Sequence, residues 1–384
     1  MASKYCTRVF GQLQGLMDRH QIKAIIEKHK SDYRVRVLFA WQHLQVMILY
    51  QFCFAQSLRD MISSYRSSQK LHQLVGLDHL ARSTFSDANT HRAAAVFGDI
   101  FTYLYGKLIN VTTRQNQARK FKDVFLVDST LIKLTLAMIH WASYRKQTAA
   151  IKLHFMLKLL EEVPAQVKLT VGRMHDVNKL AQLTYLKGMT YIFDRGYLAY
   201  DFLAKLIRDQ AFFIVRFKKG NVIKVTKNLK LPKTTEYADF TLLSDQMVLV
   251  GGVVKKIIMP LRLVTFETNE GIIMSVLTNR FDLSAQTIAL LYQKRWQIEL
   301  FFRWIKQHLK VKTFMGTCEN AVLVQIFTAL ITYVLLNLLK VLSGYSGSLY
   351  ELLREVKNNY QATLRDIVGT PLHEALQAVD AAAG

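Results

Sequence analysis

The chain has 384 residues, 51% of them hydrophobic, and a formal net charge of +23. That hydrophobic fraction excludes global disorder, and the length allows two or three domains, each with its own core. The positive excess points to a polyanionic partner, although DNA, RNA, ribosome and membrane surface all satisfy it. The charge is concentrated: residues 1–100 hold 13 basic and 7 acidic groups and residues 345–384 hold 3 and 5, so most of the excess lies between. Three isolated cysteines, Cys6, Cys53 and Cys318, imply neither a disulfide framework nor a zinc site, which fits a reducing cytoplasm. The N-terminal stretch lacks the apolar run of a signal peptide. Residues 321–339 have the length of a membrane span, but Gln325, Thr328, Thr332 and Asn337 interrupt them. A buried core helix and no membrane partner are the expectation.

In chain order, residues 1–100 read as mostly helical, with an apolar helix over Val37–Phe54 and a second helical stretch over Ser83–Tyr105. Their expected role is DNA or partner contact, without a helix-turn-helix signature. Residues 111–122 are polar and basic and read as a linker. Val124–Val127 is a run of β-formers ending at Asp128, as in a strand buried on both faces. The segment from His140 to Lys152 interleaves Trp141 and Tyr144 with Arg145, Lys146 and Lys152, which suits a phosphate backbone or an ordinary solvated loop. Ile151–Leu160 alternates and returns at Val167–Val171, a β-hairpin. A short helix over Asn178–Lys187 leads to a strand, Met189–Phe193, which ends in Asp194-Arg195-Gly196-Tyr197. A helix over Leu198–Asp209 and a strand over Ala211–Phe217 follow. Asp194 thereby stands at the carboxyl end of a strand, where open α/β sheets build their sites.

From Lys218 to Phe281, short β-rich runs alternate with Gly, Pro and Asn and carry several lysines, among them Lys224, Lys227, Lys230 and Lys233. Leu283–Val311 has no Gly or Pro and reads as one long helix. At about 100° per residue, with Tyr292 at zero, Arg295, Glu299 and Lys306 fall at about −60°, −20° and −40°, so the four share one narrow stripe. Most of the remaining circumference is apolar, including Trp296, Leu300 and Trp304, for which packing in a core is expected. Taken alone, Glu299 is explained by i,i+4 ion pairs with Arg295 and Arg303. Asp128 and Asp194 change that ranking. Three carboxylates without Cys or His ligands favour hard, oxygen-coordinated Mg²⁺ or Mn²⁺, and two such ions would align an attacking and a leaving oxygen for phosphoryl transfer.

On these residues the chain resembles the DDE transposases of bacterial insertion sequences, specifically the "IS four" group. The group's third acidic residue lies in a motif running Tyr, two residues, Arg, three residues, Glu, six residues, Lys, and Tyr292, Arg295, Glu299 and Lys306 have that spacing. Asp194-Arg195-Gly196-Tyr197 resembles its second-aspartate motif and Asp128-Ser129-Thr130 its first. The resemblance implies an α/β fold: an RNase H-like mixed-sheet catalytic domain interrupted by an all-β insertion, with a helical N-terminal domain. The implied boundaries are 1–110 (helical), 111–217 (core, first part), 218–281 (insertion), 282–345 (core, second part) and 346–384 (helical tail). It also implies catalytic and metal-binding roles for Asp128, Asp194 and Glu299 with two Mg²⁺ or Mn²⁺ ions. Tyr292, Arg295, Arg303, Lys306, Arg145 and Lys146 are the DNA-binding candidates. The implied reaction is cleavage at transposon ends, followed by attack of the freed 3′-hydroxyl on target DNA. A homodimer would act on paired ends of double-stranded DNA, in the cytoplasm on nucleoid DNA. Some members hold a flipped base with an aromatic of the insertion, but this insertion contains no Trp. An RNase H-like nuclease without strand transfer and a non-catalytic basic DNA-binding protein are the alternatives.

Overall fold

The computed structural model describes residues 8–115, 123–145, 148–171, 183–217, 223–252 and 255–383. It divides into a helical unit, residues 1–118, 134–141 and 304–384, and a sheet unit, residues 119–133 and 142–303. Residues 304–345, expected to complete the catalytic core, therefore group with the N-terminal helices.

The helical unit begins with α1 (Val9–Gly15), α2 (Arg19–Lys28), α3 (Ala40–Phe52), α4 (Leu58–Arg66), α5 (Gln69–Val75), α6 (Arg82–His91) and α7 (Ala94–Gln115). Local chemistry sets several of these boundaries. The Asp18 carboxylate accepts from the His20 and Gln21 N–H groups at the start of α2, and Ser57 with Asp60 forms a capping box on α4. Gly76 ends α5 in the left-handed region at φ 67°, where a side chain would be strained. The helical stretch expected over Ser83–Tyr105 is broken at Arg92, whose buried guanidinium donates to the Leu38 carbonyl at 2.7 Å. The Asn320 side chain then accepts from the Ala94 N–H at the start of α7. That helix continues to Gln115, so residues 111–115 of the expected linker are helical.

The sheet unit contains β1 (Val124–Leu134), β2 (Ser143–Arg145), β3 (Thr148–Lys158), β4 (Val163–Val171), β5 (Thr190–Phe193), α8 (Tyr200–Arg208), β6 (Phe212–Arg216), β7 (Ile223–Asn228), β8 (Phe240–Gly252), β9 (Lys255–Thr268) and β10 (Ile273–Thr278). They form one mixed sheet in the order β2-β3-β1-β5-β6-β10-β9-β8-β7, with β4 also paired to β3. β1, β5 and β6 are parallel; β6, β10, β9, β8 and β7 are successively antiparallel. The expected β3–β4 hairpin is present. The strands between residues 223 and 278 extend the sheet that carries β1 and β5. Pro260 lies within β9: it pairs Leu249 beyond the last β9–β10 pair, Arg262–Thr278, where proline is tolerated.

A row of paired residues crosses the whole sheet: Leu126, Ile192, Ile214, Thr278, Arg262, Met247 and Lys227. These side chains share one face, because side-chain direction alternates along each strand. Their sequence neighbours Val127, Phe193, Phe213, Leu277, Leu261 and Val248 point the other way, into a core that includes Phe202, Leu203 and Leu206 of α8. On the first face lie α9 (Ala285–Gln293), which packs on β8 and β9, and then α10 (Trp296–His308), which runs into the helical unit.

The helical unit is completed by α11 (Glu319–Ser343), α12 (Leu349–Asn359) and α13 (Pro371–Ala383). α11 is long and apolar enough to span a membrane, yet it is the buried centre of its unit, packed on α7, α3 and α13. Thr328 and Thr332 donate their hydroxyls to carbonyls four residues back, at 2.7 and 2.9 Å, so the polar interruptions are internally satisfied. Gly98 of α7 lets the Phe327 ring approach: an added Cβ would lie 3.3 Å from it. Lys146, residues 116–122, residues 178–182 of the expected short helix, Lys218 and Lys219 lie outside the described residues, as do the side chains of Arg145, Lys255 and Lys256.

Asp245 and Arg262 form a buried bidentate pair at 2.8 and 2.6 Å, and Arg262 also donates to the Leu283 carbonyl at 2.5 Å. This pair fixes the loop entering α9. Asp245→Ala strands a buried guanidinium and should cost about 3–5 kcal/mol, read from urea unfolding. A loss below about 1 kcal/mol, the range of exposed pairs, would show that Arg262 is not dependent on it.

Candidate active site

The site begins with the pairing of β1 and β5. Val127 lies opposite Phe193 in parallel register, so Asp128 and Asp194 are the next residues on neighbouring strands. Adjacent strands lie about 4.8 Å apart, so the two acids stand side by side. β5 ends at Phe193, as expected, but β1 continues to Leu134, so Asp128 is within a strand rather than after one.

Asp128 is closely held. Its Oδ1 accepts from the Ser129 N–H at 2.7 Å and from the Tyr197 hydroxyl at 3.1 Å. Tyr197 is placed by the turn after Asp194, whose carbonyl accepts the Tyr197 N–H at 3.0 Å. The motif Asp194-Arg195-Gly196-Tyr197 thus supplies one acid and an orienting group for the other. Tyr197 was not among the expected site residues; its place in that motif was the available signal.

The helix expected over Leu283–Val311 is two helices. α9 ends at Gln293 and α10 begins at Trp296, with Lys294 and Arg295 in a turn between them. Across the break, Arg295, Gln297 and Ile298 donate to carbonyls three residues back rather than four. This tighter winding advances the chain about 20° more per residue and alters the stripe deduced from uniform helical spacing. The Arg295 guanidinium lies between two acids, 2.7 Å from Glu299 Oε1 and 3.5 Å from Asp128 Oδ2. The expected Arg295–Glu299 pair is present; among the described contacts Glu299 has no pair with Arg303.

Burial raises the Asp128 carboxyl to about 6 against the opposing pull of the Ser129 N–H, Arg295 and Tyr197, and the charge of Asp194 adds to the rise. Burial also pushes the Tyr292 phenol up to about 12. Tyr292 is 3% exposed and its ring packs edge-on against Phe266 of β9. The ring is packed on the sheet, and the hydroxyl lies beside Arg295 without a well-formed hydrogen bond. The core roles expected for Trp296 and Leu300 are corrected, since they are 50% and 45% exposed. Trp304 does pack, edge-on against Tyr333.

Arg303 is exposed, and Lys306, further along α10 in the helical unit, is half-buried, with its pKa lowered by burial and then by Lys312. Arg145 and Lys146 have no described side chains. Among the described residues no three His, Cys, Asp or Glu side chains already converge as a metal site. The donor chemistry nevertheless suits a hard divalent cation, with two neighbouring carboxylates and a third held nearby by a guanidinium. A partly desolvated acid pair of this kind, with cationic side chains beside it, can support phosphoryl transfer.

The comparisons with known proteins agree with that chemistry. The family described as "Transposase DDE domain" matches residues 119–335, and "Domain of unknown function (DUF4372)" matches residues 6–77. The chain is 36% identical to a putative transposase, y4zB, of Sinorhizobium fredii, over 66% of this chain and 70% of the relative. It is 34% identical to a probable transposase for insertion sequence element IS5377 of Geobacillus stearothermophilus, over 71% of each. It is 26% identical to a putative transposase for element IS4SA of Synechocystis, over 83% of this chain and 87% of the relative. The chain belongs to the DDE transposase family and is a DNA transposase, an enzyme of phosphoryl transfer. The family generally uses a divalent metal.

The raised Asp128 pKa gives a signed expectation for the metal-free protein. Because the folded value lies above the unfolded one, ionisation costs stability as pH rises from about 4 through about 6. Asp128→Asn should therefore leave the unfolding free energy unchanged near pH 4 and raise it above pH 6, by on the order of 1–3 kcal/mol. A difference that is flat with pH would show that Asp128 is not desolvated.

Proposed function

We propose that Asp128, Asp194 and Glu299 are the catalytic carboxylates and hold one or two Mg²⁺ or Mn²⁺ ions for cutting element ends and joining them to target DNA. The observation that carries this reading is the juxtaposition of Asp128 and Asp194 on parallel strands, with Arg295 linking Asp128 to Glu299. When bound, the metal would activate the attacking oxygen and stabilise the leaving one. Tyr197 and the Ser129 N–H orient the Asp128 carboxylate. Arg295 neutralises the acids in the free protein; on binding DNA it would offer its guanidinium to a phosphate, releasing Glu299 to the site. The exposed Arg303 and the half-buried Lys306 would add phosphate contacts, as would Arg145 and Lys146. Tyr292 acts behind Arg295 as its support.

The strand order β4-β3-β1-β5-β6, with β1, β5 and β6 parallel, supports an RNase H-like core. The strands between 223 and 278 are then the family's β-rich insertion, fused edge to edge with that core. A homodimer on paired ends, in the cytoplasm on nucleoid DNA, completes the reading.

The full-length protein is to be incubated with duplex bearing the element's ends and with Mg²⁺ or Mn²⁺, and strand cleavage and joining followed on denaturing gels. Asp128→Ala, Asp194→Ala and Glu299→Ala should each lower cleavage at least 100-fold while end binding persists. Full cleavage by any one would remove that residue from the metal site. Cleavage by the wild type with no joined product would favour a nuclease instead.

A further inference from the structure

β7 is the last strand of the sheet, and one of its edges pairs with nothing among the described residues. Lys224, Lys227, Lys230 and Lys233 on and just after it are all exposed, and none pairs with a described carboxylate. Residues three apart in a regular strand point to opposite faces. Here they do not. Lys224 pairs Leu249 and Lys227 pairs Met247, with a bulge between Val225 and Lys227, so the extra residue brings both lysines to one face. That face is fixed by the row through Met247, Arg262, Thr278, Ile214 and Ile192 to Leu126, two residues before Asp128.

We infer that this strand is a phosphate-tracking edge that grips the flank of duplex DNA whose scissile phosphate lies at the acid pair. Six strand-to-strand steps of about 4.8 Å separate β1 from β7, roughly 29 Å, which is within one turn of duplex at about 34 Å. Lys224 and Lys227 stand about 7 Å apart along the edge, close enough to meet phosphates of one backbone. A second copy of this chain is the competing occupant of a free edge. Antiparallel self-pairing would bring lysines towards lysines without acidic partners, whereas a polyanion meets the same row favourably. Exposed lysines also guard edges against aggregation, but a guard needs charge of either sign and the grip needs positive charge. The inference rests on the DNA reading above.

The test uses the full chain and a random-sequence 30-base-pair duplex, with binding followed by fluorescence anisotropy from 50 to 200 mM salt. Each phosphate contact contributes about 0.9 to the slope of log K against log salt. The variant K224Q/K227Q should lower that slope by about 1.8, and K224Q/K227Q/K230Q/K233Q by up to about 3.6, at unchanged melting temperature. K224E/K227E should bind more weakly still. Three results would overturn the inference. The first is an unchanged slope in the four-lysine variant. The second is a K224E/K227E variant that stays dispersed and binds like the wild type, which would leave only an edge guard. The third is an altered oligomeric state with an unchanged slope, which would mark a contact between copies. Wild-type protein that binds no duplex at 50 mM salt would instead remove the DNA reading itself.

Discussion

Two carboxylates on neighbouring strands of one sheet repel each other, and the site depends on that conflict being held in check. The parallel pairing of β1 with β5 fixes Asp128 and Asp194 as successors of the Val127–Phe193 pair, so neither can retreat without breaking the sheet's central ladder. Burial makes the strain larger: the Asp128 carboxyl is pushed to about 6 although three donors act on it. Arg295 relieves part of it from the side. A buried charge cluster is stable only while such compensation exists. Arg295 therefore matters as much as the acids, and Tyr292, three residues before it, packs on Phe266 of β9. The Arg262–Asp245 pair secures the entry to α9 at Leu283.

The sequence made the chemistry more legible than the architecture. Asp194 could be placed because a short apolar run followed by Asp and Gly marks a strand end, and β5 does end at Phe193. Glu299 could be singled out by its spacing from Arg295, and the two do pair. The break at Lys294–Arg295 had no signal, because neither Gly nor Pro occurs there; it arises from i→i+3 winding within otherwise helical sequence. Burial of Tyr292 and exposure of Trp296 were missed together. Angular spacing on one helix ranks faces, but only the partner surface decides which face is covered. The joining of β10 to β6 was likewise out of reach, because strand pairing is non-local whereas the β-rich pattern from 223 to 278 is local.

The broken helix also separates two tasks. α9 is bound to the sheet by its packing on β8 and β9, while α10 carries Glu299 at its start and passes into the helical unit. The turn between them carries Arg295, whose guanidinium reaches both Glu299 and Asp128. A guanidinium on such a turn can exchange one anionic partner for another by side-chain rotation alone, leaving both helices in place.

The central helix of the helical unit has a consequence for synthesis. α11 is supplied by residues 319–343, whereas α3 and α7, which pack on it, end at residues 52 and 115. The early helices emerge from the ribosome long before their core exists, and at about 5–20 residues per second they wait many seconds for it. A message cut short before codon 319 yields N-terminal helices without the element that buries their apolar faces. Such a fragment exposes hydrophobic surface of the kind chaperones and proteases act on. The unit can assemble only once residues 319–343 have been made, so its N-terminal helices depend on a segment more than 200 residues further along the chain.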